Sequence, residues 1–159
     1  MPTDPTTLGL VLVRHGEAES GGDDATRGLT TAGRRTIRML SADLQGRNLS
    51  PAVIRTSPAR RAHQTAETIF SALPEPGPVR PTNQLASGAR VKDLLKLLRA
   101  ESPGTDVVWV GHMPDLGRIA AFLLGRPGEV DFRPGAAVAL RIDFSGPLPA
   151  ATEEWRWGA

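Results

Sequence analysis

Residues 8–17 read LGLVLVRHGE. The first six form a continuous apolar run, as expected of a central strand buried on both faces. The run breaks abruptly into a cation, an imidazole, a glycine and a carboxylate: Arg14, His15, Gly16 and Glu17. In an open parallel sheet, ligands bind in the crevice beyond the carboxyl ends of the strands. A buried strand ending in reactive side chains therefore predicts an α/β protein with its site at that end.

The chain on either side supports this. Residues 16–29 are rich in Gly and Asp and read as a loop. Thr30 or Thr31 caps a helix that carries Ile37, Leu40 and Leu44 on one face. Residues 52–56 form a second short strand. Ser57-Pro58 then fits an N-cap with proline at the first helical position, opening a helix that buries Ala62, Ala66, Ile69 and Phe70. Residues 73–81 are proline-rich and read as a loop with a short extended piece. Val91, Leu94, Leu95 and Leu98 follow the i, i+3, i+4, i+7 pattern of an amphipathic helix. Residues 106–110 are another buried strand. Leu116, Ile119, Ala120 and Leu123 mark a last helix ending near Gly125 and Pro127. Residues 136–144 and 153–157 alternate and look like a closing antiparallel pair. The alternation of strands and helices predicts an α/β sandwich with a mostly parallel sheet.

The chain has 159 residues, enough for one ordinary domain with a core of its own. One domain over 1–159 is expected, with residues 1–7 as a flexible N-terminus. Apolar residues at 40% and charged residues at 23% place it with globular rather than disordered chains. There is no cysteine, which removes disulfides and thiolate chemistry. No apolar run approaches the ~20 residues of a membrane helix, and the first residues do not read as a signal peptide. A cytoplasmic monomer is expected. The pI of about 9.9 sits beside a net charge of only +2. With no Cys or Tyr, little titrates between neutral pH and the lysines, so a small surplus moves the pI far. The pI is therefore not a nucleic-acid footprint.

Three groups end predicted strands: Arg14-His15-Gly16-Glu17, the segment Ser57 to Ala62 with Arg60 and Arg61, and Gly111-His112. They bring two histidines and at least two arginines toward one cleft. A neutral imidazole can attack phosphorus and split one hard displacement into two easier ones. Arginine forks match the oxygens of a transferring phosphoryl group and keep their charge. A helix N-terminus after Ser57 adds partial positive charge. Gly16 lets the backbone turn sharply behind His15.

Taken singly these residues are unremarkable, and their joint placement at three strand ends carries the argument. His63 falls between core positions and is expected in solvent, as are Arg34, Arg35, Arg38 and Arg60 on helix faces. Trp155 and Trp157 read as strand packing. Two histidines and a glutamate raise the question of a metal, but no HxH or HExxH spacing is present and arginines repel cations.

The motifs resemble those of the histidine phosphatase (phosphoglycerate mutase-like) superfamily. LVRHGEAES resembles its signature, LTTAGRR the start of its first helix, TSPARRAHQTAETI its second motif and VGHMPDL its third. The short chain and the Gly-His-x-Pro form are similar to the bacterial SixA-type phosphohistidine phosphatases. The resemblance implies a three-layer α/β/α sandwich, no metal and no cofactor. It makes His15 the phosphoryl acceptor, with Arg14, Gly16, Arg61 and His112 holding the phosphate. The implied partners are a phosphorylated protein or small phosphoester and the phosphate product, with no nucleic acid and no membrane.

One departure stands out. Many relatives carry an acidic residue where this chain reads Thr82 to Gly88, and no carboxylate occurs there. Glu17 remains as an orienting group for His15 or a proton-transfer partner. The absence of an acid points to a P–N bond, or an ester with a good leaving group, as the bond cleaved. Two rival readings are a phosphate-binding module without turnover and a phosphosugar mutase. The missing acid and the lack of long insertions argue against the mutase.

Overall fold

The computed structural model describes residues 4–158. The chain runs β1 (Thr7–Arg14), α1 (Thr31–Gly46), β2 (Val53–Thr56), α2 (Arg60–Ala72), β3 (Val79–Pro81), α3 (Val91–Ala100), β4 (Asp106–Gly111), α4 (Asp115–Leu124), β5 (Ala137–Asp143) and β6 (Ala150–Trp157). Short 3-10 turns occur at Asp24–Thr26 and Asn83–Leu85. The strands form one six-stranded sheet in the order β3-β2-β4-β1-β5-β6. The first four in that order are parallel, and β5 and β6 add an antiparallel edge.

The period-two alternation of β1 divides the core. Leu8, Leu10 and Leu12 face one helical layer together with Leu94, Leu98, Leu116 and Ile119 of α3 and α4. Val11 and Val13 face the other, with Ile37, Leu40, Ala66 and Ile69 of α1 and α2. Because both faces are covered, β1 has no polar side, which is why its sequence shows an unbroken apolar run. Truncating a fully buried side chain such as Leu12 to alanine costs roughly 2–5 kcal/mol.

β4 lies between β2 and β1, so three strand ends meet. Arg14 pairs in register with Gly111, and Thr56 with Val110. The ladder runs on past the ends: His15 N donates to Gly111 O and Ser57 N to Val110 O. Behind them α1 packs tightly. Thr30 caps it by accepting from Gly33 N at 2.9 Å, and a Cβ on Gly33 would lie 2.2 Å from Glu17 O.

Three expectations need correction. α2 does not begin at Pro58 with Ser57 as its cap; it starts at Arg60 behind Ala59, with no side-chain cap. Phe70 is not buried but 36% exposed. Residues 4–7 of the expected flexible terminus are held in place: Asp4 closes a turn by accepting from Thr6, and Thr7 starts β1. Residues 1–3 lie outside the described part of the chain.

Sequence reading also passed over Glu101. It sits at the end of α3, only 5% exposed, and accepts a two-pronged contact from Arg55 together with Trp109 Nε1–H at 2.9 Å. This ties β2, β4 and α3 together through one carboxylate.

Candidate active site

The three strand ends enclose a cleft of about 380 Å³ lined by Arg14, His15, Glu17, Arg27, Arg61, Ser87 and His112. His15 and His112 stand edge to face, their ring centroids 5.2 Å apart. Arg61, only 5% exposed, lies between them. Its Nε is 3.4 Å from His15 Nε2 and its second terminal nitrogen 3.5 Å from His112 Nδ1.

Hydrogen bonding sets both tautomers. His15 Nδ1 is 2.8 Å from Gly16 O. A carbonyl only accepts, so Nδ1 carries the proton and Nε2 keeps its lone pair toward Arg61. His112 Nε2 is 2.7 Å from Ser57 Oγ. Since Arg61 donates to His112 Nδ1, that ring carries its proton on Nε2 and gives it to Ser57. The serine that sequence reading assigned to a helix cap instead holds the second histidine; its Oγ also accepts from Ala59 N.

Burial is the main cause of both histidines' low basicity, pushing each down to about 4. For His15 the Gly16 carbonyl works the other way, and His112, Arg61 and Arg14 add to the depression. For His112, Arg61 adds to it, Asp24 opposes it and Arg14 again adds. Both rings are therefore neutral at pH 7.

Arg14 points one terminal nitrogen at Phe132 O, 3.1 Å away. Its Nε–H is buried and, among the described residues, has no partner. Burial lowers its basicity, against the attraction of Asp131. An unpaired buried N–H of a guanidinium is costly unless something accepts from it. Beside two neutral imidazoles and the buried Arg61, the donor set suits an oxyanion and not a cation.

The expectations for Gly16 and Glu17 change. Gly16 turns the chain behind His15 without a positive φ; a Cβ there would press on Ile37 and Leu29 at 3.0 and 3.1 Å and on Gly33 O at 3.2 Å. Its glycine identity reflects close packing on α1. Its N–H donates to Thr65 Oγ1. Glu17 lines the cleft but does not orient His15, because the Gly16 carbonyl holds Nδ1. Glu17 is exposed, and its Oε1 accepts from Thr30 Oγ1 at 3.2 Å.

Other residues join the site. Asp24 accepts from Arg61 through its backbone carbonyl at 2.7 Å, and its carboxylate lies 3.4 Å from the same guanidinium. Arg27 lines the cleft, braced by Glu19 O and the Asp24 carboxylate. No periodicity marks this Gly/Asp loop, so neither contact is visible in the sequence. Gln64 and Thr65 were visible in the Gln-Thr of the second motif: Gln64 Oε1 accepts from Leu29 N, and Thr65 from Gly16 N. Arg90, just before α3, pairs with Asp93. His63 reaches Glu67 on the surface, and Trp155 stacks under Arg47. A second open groove, of about 490 Å³, runs between α1 and α2 past Arg38, Ser41, Glu67 and Thr68, without convergent chemistry.

A model of the histidine phosphatase superfamily (branch 1) matches residues 10–87. An uncharacterised protein of Picosynechococcus sp. is 35% identical over 138 residues, 83% of this chain and 84% of that one. The solved protein histidine phosphatase SixA, complexed with tungstate, superposes with a TM-score of 0.85 at 26% identity, covering 94% of this chain and 96% of its own. A protein assigned as SixA from Nakamurella multipartitia superposes with a TM-score of 0.79 at 23% identity over 99% and 98%, a likeness of fold.

Proposed function

Because the chain belongs to the histidine phosphatase superfamily, we propose that it is a phosphatase whose His15 takes the phosphoryl group, and that its substrate is a phosphohistidine on a protein. The observation that carries this is the orientation of His15. Its proton is fixed on Nδ1 by the Gly16 carbonyl, and its free Nε2 faces the cleft between Arg61 and His112.

In the first step the Nε2 lone pair forms a bond to phosphorus, and the substrate's P–N bond breaks with its electron pair going to the departing imidazole. Because Nδ1 keeps its proton, the enzyme's phosphohistidine is an imidazolium, which the Gly16 carbonyl stabilises. An imidazolium is a good leaving group. In the second step water attacks phosphorus, the His15–P bond returns its pair to Nε2, and the water proton passes to solvent with the phosphate product. Arg14 and Arg61 donate to the equatorial oxygens, where positive charge and donors in a water-poor site are most effective, and His112 donates once a bound phosphoryl dianion draws a proton onto its Nδ1. No step calls on a metal.

Two features support a P–N bond. Among the described residues no acid is poised to protonate an alkoxide: Asp24 is held below the ordinary carboxylate range by its hydrogen bond from Arg27, with Arg61 adding to the effect. Glu17 is engaged by Thr30. A leaving imidazole that is already protonated on its other nitrogen departs neutral and needs no donor. The SixA structure's tungstate, a phosphate-like oxyanion, supports an oxyanion in this cleft as well.

The test is release of phosphate from a histidine-phosphorylated carrier protein and from p-nitrophenyl phosphate, with wild type and His15→Ala. The wild type should release phosphate from both and the variant from neither. A higher rate on sugar phosphates than on phosphohistidine would overturn the substrate. Tungstate binding without turnover would mark a binding module instead.

A further inference from the structure

Asp115 is a buried carboxylate that the chemistry above does not use. It is the first residue of α4 and 5% exposed, and among the described residues no cation pairs with it. Its Oδ2 accepts instead from two backbone amides of another segment, Gly88 N at 2.8 Å and Ala89 N at 3.2 Å. An uncompensated buried charge is expensive, and it persists where hydrogen bonds and a helix N-terminus hold it. The strand-to-helix turn that carries His112 is thus bonded directly to the loop between Leu85 and Val91.

That loop carries Ser87, immediately before the two amides. Gly88 has φ +94°, a conformation a side chain resists, so the turn is committed to this shape. Ser87 lines the catalytic cleft on one side. On the other it lines a groove of about 530 Å³ formed with Asn83, Gln84, Gly88, Asp93 and Lys96. It is the wall the two spaces share.

We propose that Asp115 is a positioning residue that fixes Ser87 as the threshold between the phosphate pocket and this groove, and that the peptide part of the substrate passes over Ser87 into the groove. This rests on the phosphatase reading. Two consequences separate it from a plain structural role. Loosening the loop should weaken binding of the bulky substrate without weakening binding of the bare phosphate held by Arg14, Arg61 and His112. Blocking the threshold at Ser87 should do the same while leaving Asp115 intact.

The experiment is steady-state kinetics on a histidine-phosphorylated carrier protein, with inhibition by inorganic phosphate measured alongside, for wild type, Asp115→Ala, Asp115→Asn and Ser87→Leu. Losing two amide bonds to a carboxylate should raise KM roughly tenfold in Asp115→Ala. The phosphate inhibition constant should stay within about twofold. Asp115→Asn keeps an acceptor oxygen and should recover most of the loss, and Ser87→Leu should reproduce the raised KM. An unmoved KM in Ser87→Leu, or a phosphate constant that worsens in step with KM, overturns the proposal. If Asp115→Ala fails to fold, Ser87→Leu decides by the same comparison. An inactive wild type would sink the phosphatase reading and this proposal with it, whereas an active wild type with unmoved KM sinks this proposal alone.

Discussion

At the scale of single residues, the site depends on which nitrogen each group offers. The Gly16 carbonyl fixes the proton of His15, and Arg61 spans the free nitrogens of both rings, which leaves the proton of His112 on the nitrogen that faces Ser57. Arg61 reaches three partners because a guanidinium carries donors on three nitrogens in one plane; its third contact is Asp24 O at 2.7 Å. Lysine keeps the charge but offers one point of donation. Arg61→Lys should therefore lower kcat/KM for phosphate release by roughly 100-fold. Retained activity in that variant would show that charge alone suffices. The motifs made these residues legible, since a histidine and an arginine at strand ends are readable as types. Their hydrogen-bond partners were not. Gly16 O and Asp24 O are backbone atoms that any residue type supplies, and Ser57 was read as a cap because capping serines and histidine-holding serines look alike in sequence.

At the scale of elements, the nucleophile's loop is held from behind by the first turn of α1. Gly33 makes this approach feasible, with Glu17 O only 2.2 Å from where its Cβ would be. The obstacle is backbone, so no side-chain rotation relieves it. Gly33→Ala should destabilise the protein by about 1–3 kcal/mol through overpacking, outweighing the gain in helix propensity of about 1 kcal/mol. It should also lower activity by displacing residues 16–17, and thermal denaturation with phosphate-release assays would register both. A variant as stable and active as wild type would show that α1 can retreat at no cost. The Leu-Thr-x-x-Gly pattern pointed to this helix start, and Thr30 does cap it. The start of α2 was misplaced because proline after serine fits a first turn, whereas the Ser57 hydroxyl is bonded to Ala59 N and His112.

At the scale of the whole molecule, the sandwich was legible because burial on both faces of β1 and β4 writes itself as unbroken apolar sequence, and helical stripes show which faces cover them. The strand order was not legible: nothing local says that β4 inserts between β2 and β1. That insertion concentrates His15, His112 and two arginines at one point, with a consequence for stability. Both histidines are pushed down to about 4 in the folded state, against about 6.5 in an unfolded chain. Well above pH 6.5 they are neutral in both states and add no pH dependence. As the pH falls from about 6.5 toward 4, the unfolded chain takes up protons that the folded chain refuses, so folding weakens across that window, and the loss is complete below it. Asp4, Asp24, Asp143 and Glu153, whose affinities are lowered by their hydrogen bonds, add further losses at the acid end. Asp106, raised mainly by burial, acts in the opposite direction. The melting temperature should therefore drop between pH 7 and pH 4.5, and less so in His112→Gln, which removes one of the two imidazoles of depressed basicity. A flat profile from pH 7 to pH 4.5, or an equal drop in His112→Gln and wild type, would mean that the histidines are not held neutral at the strand ends, and that the nucleophile competes with protons at ordinary pH.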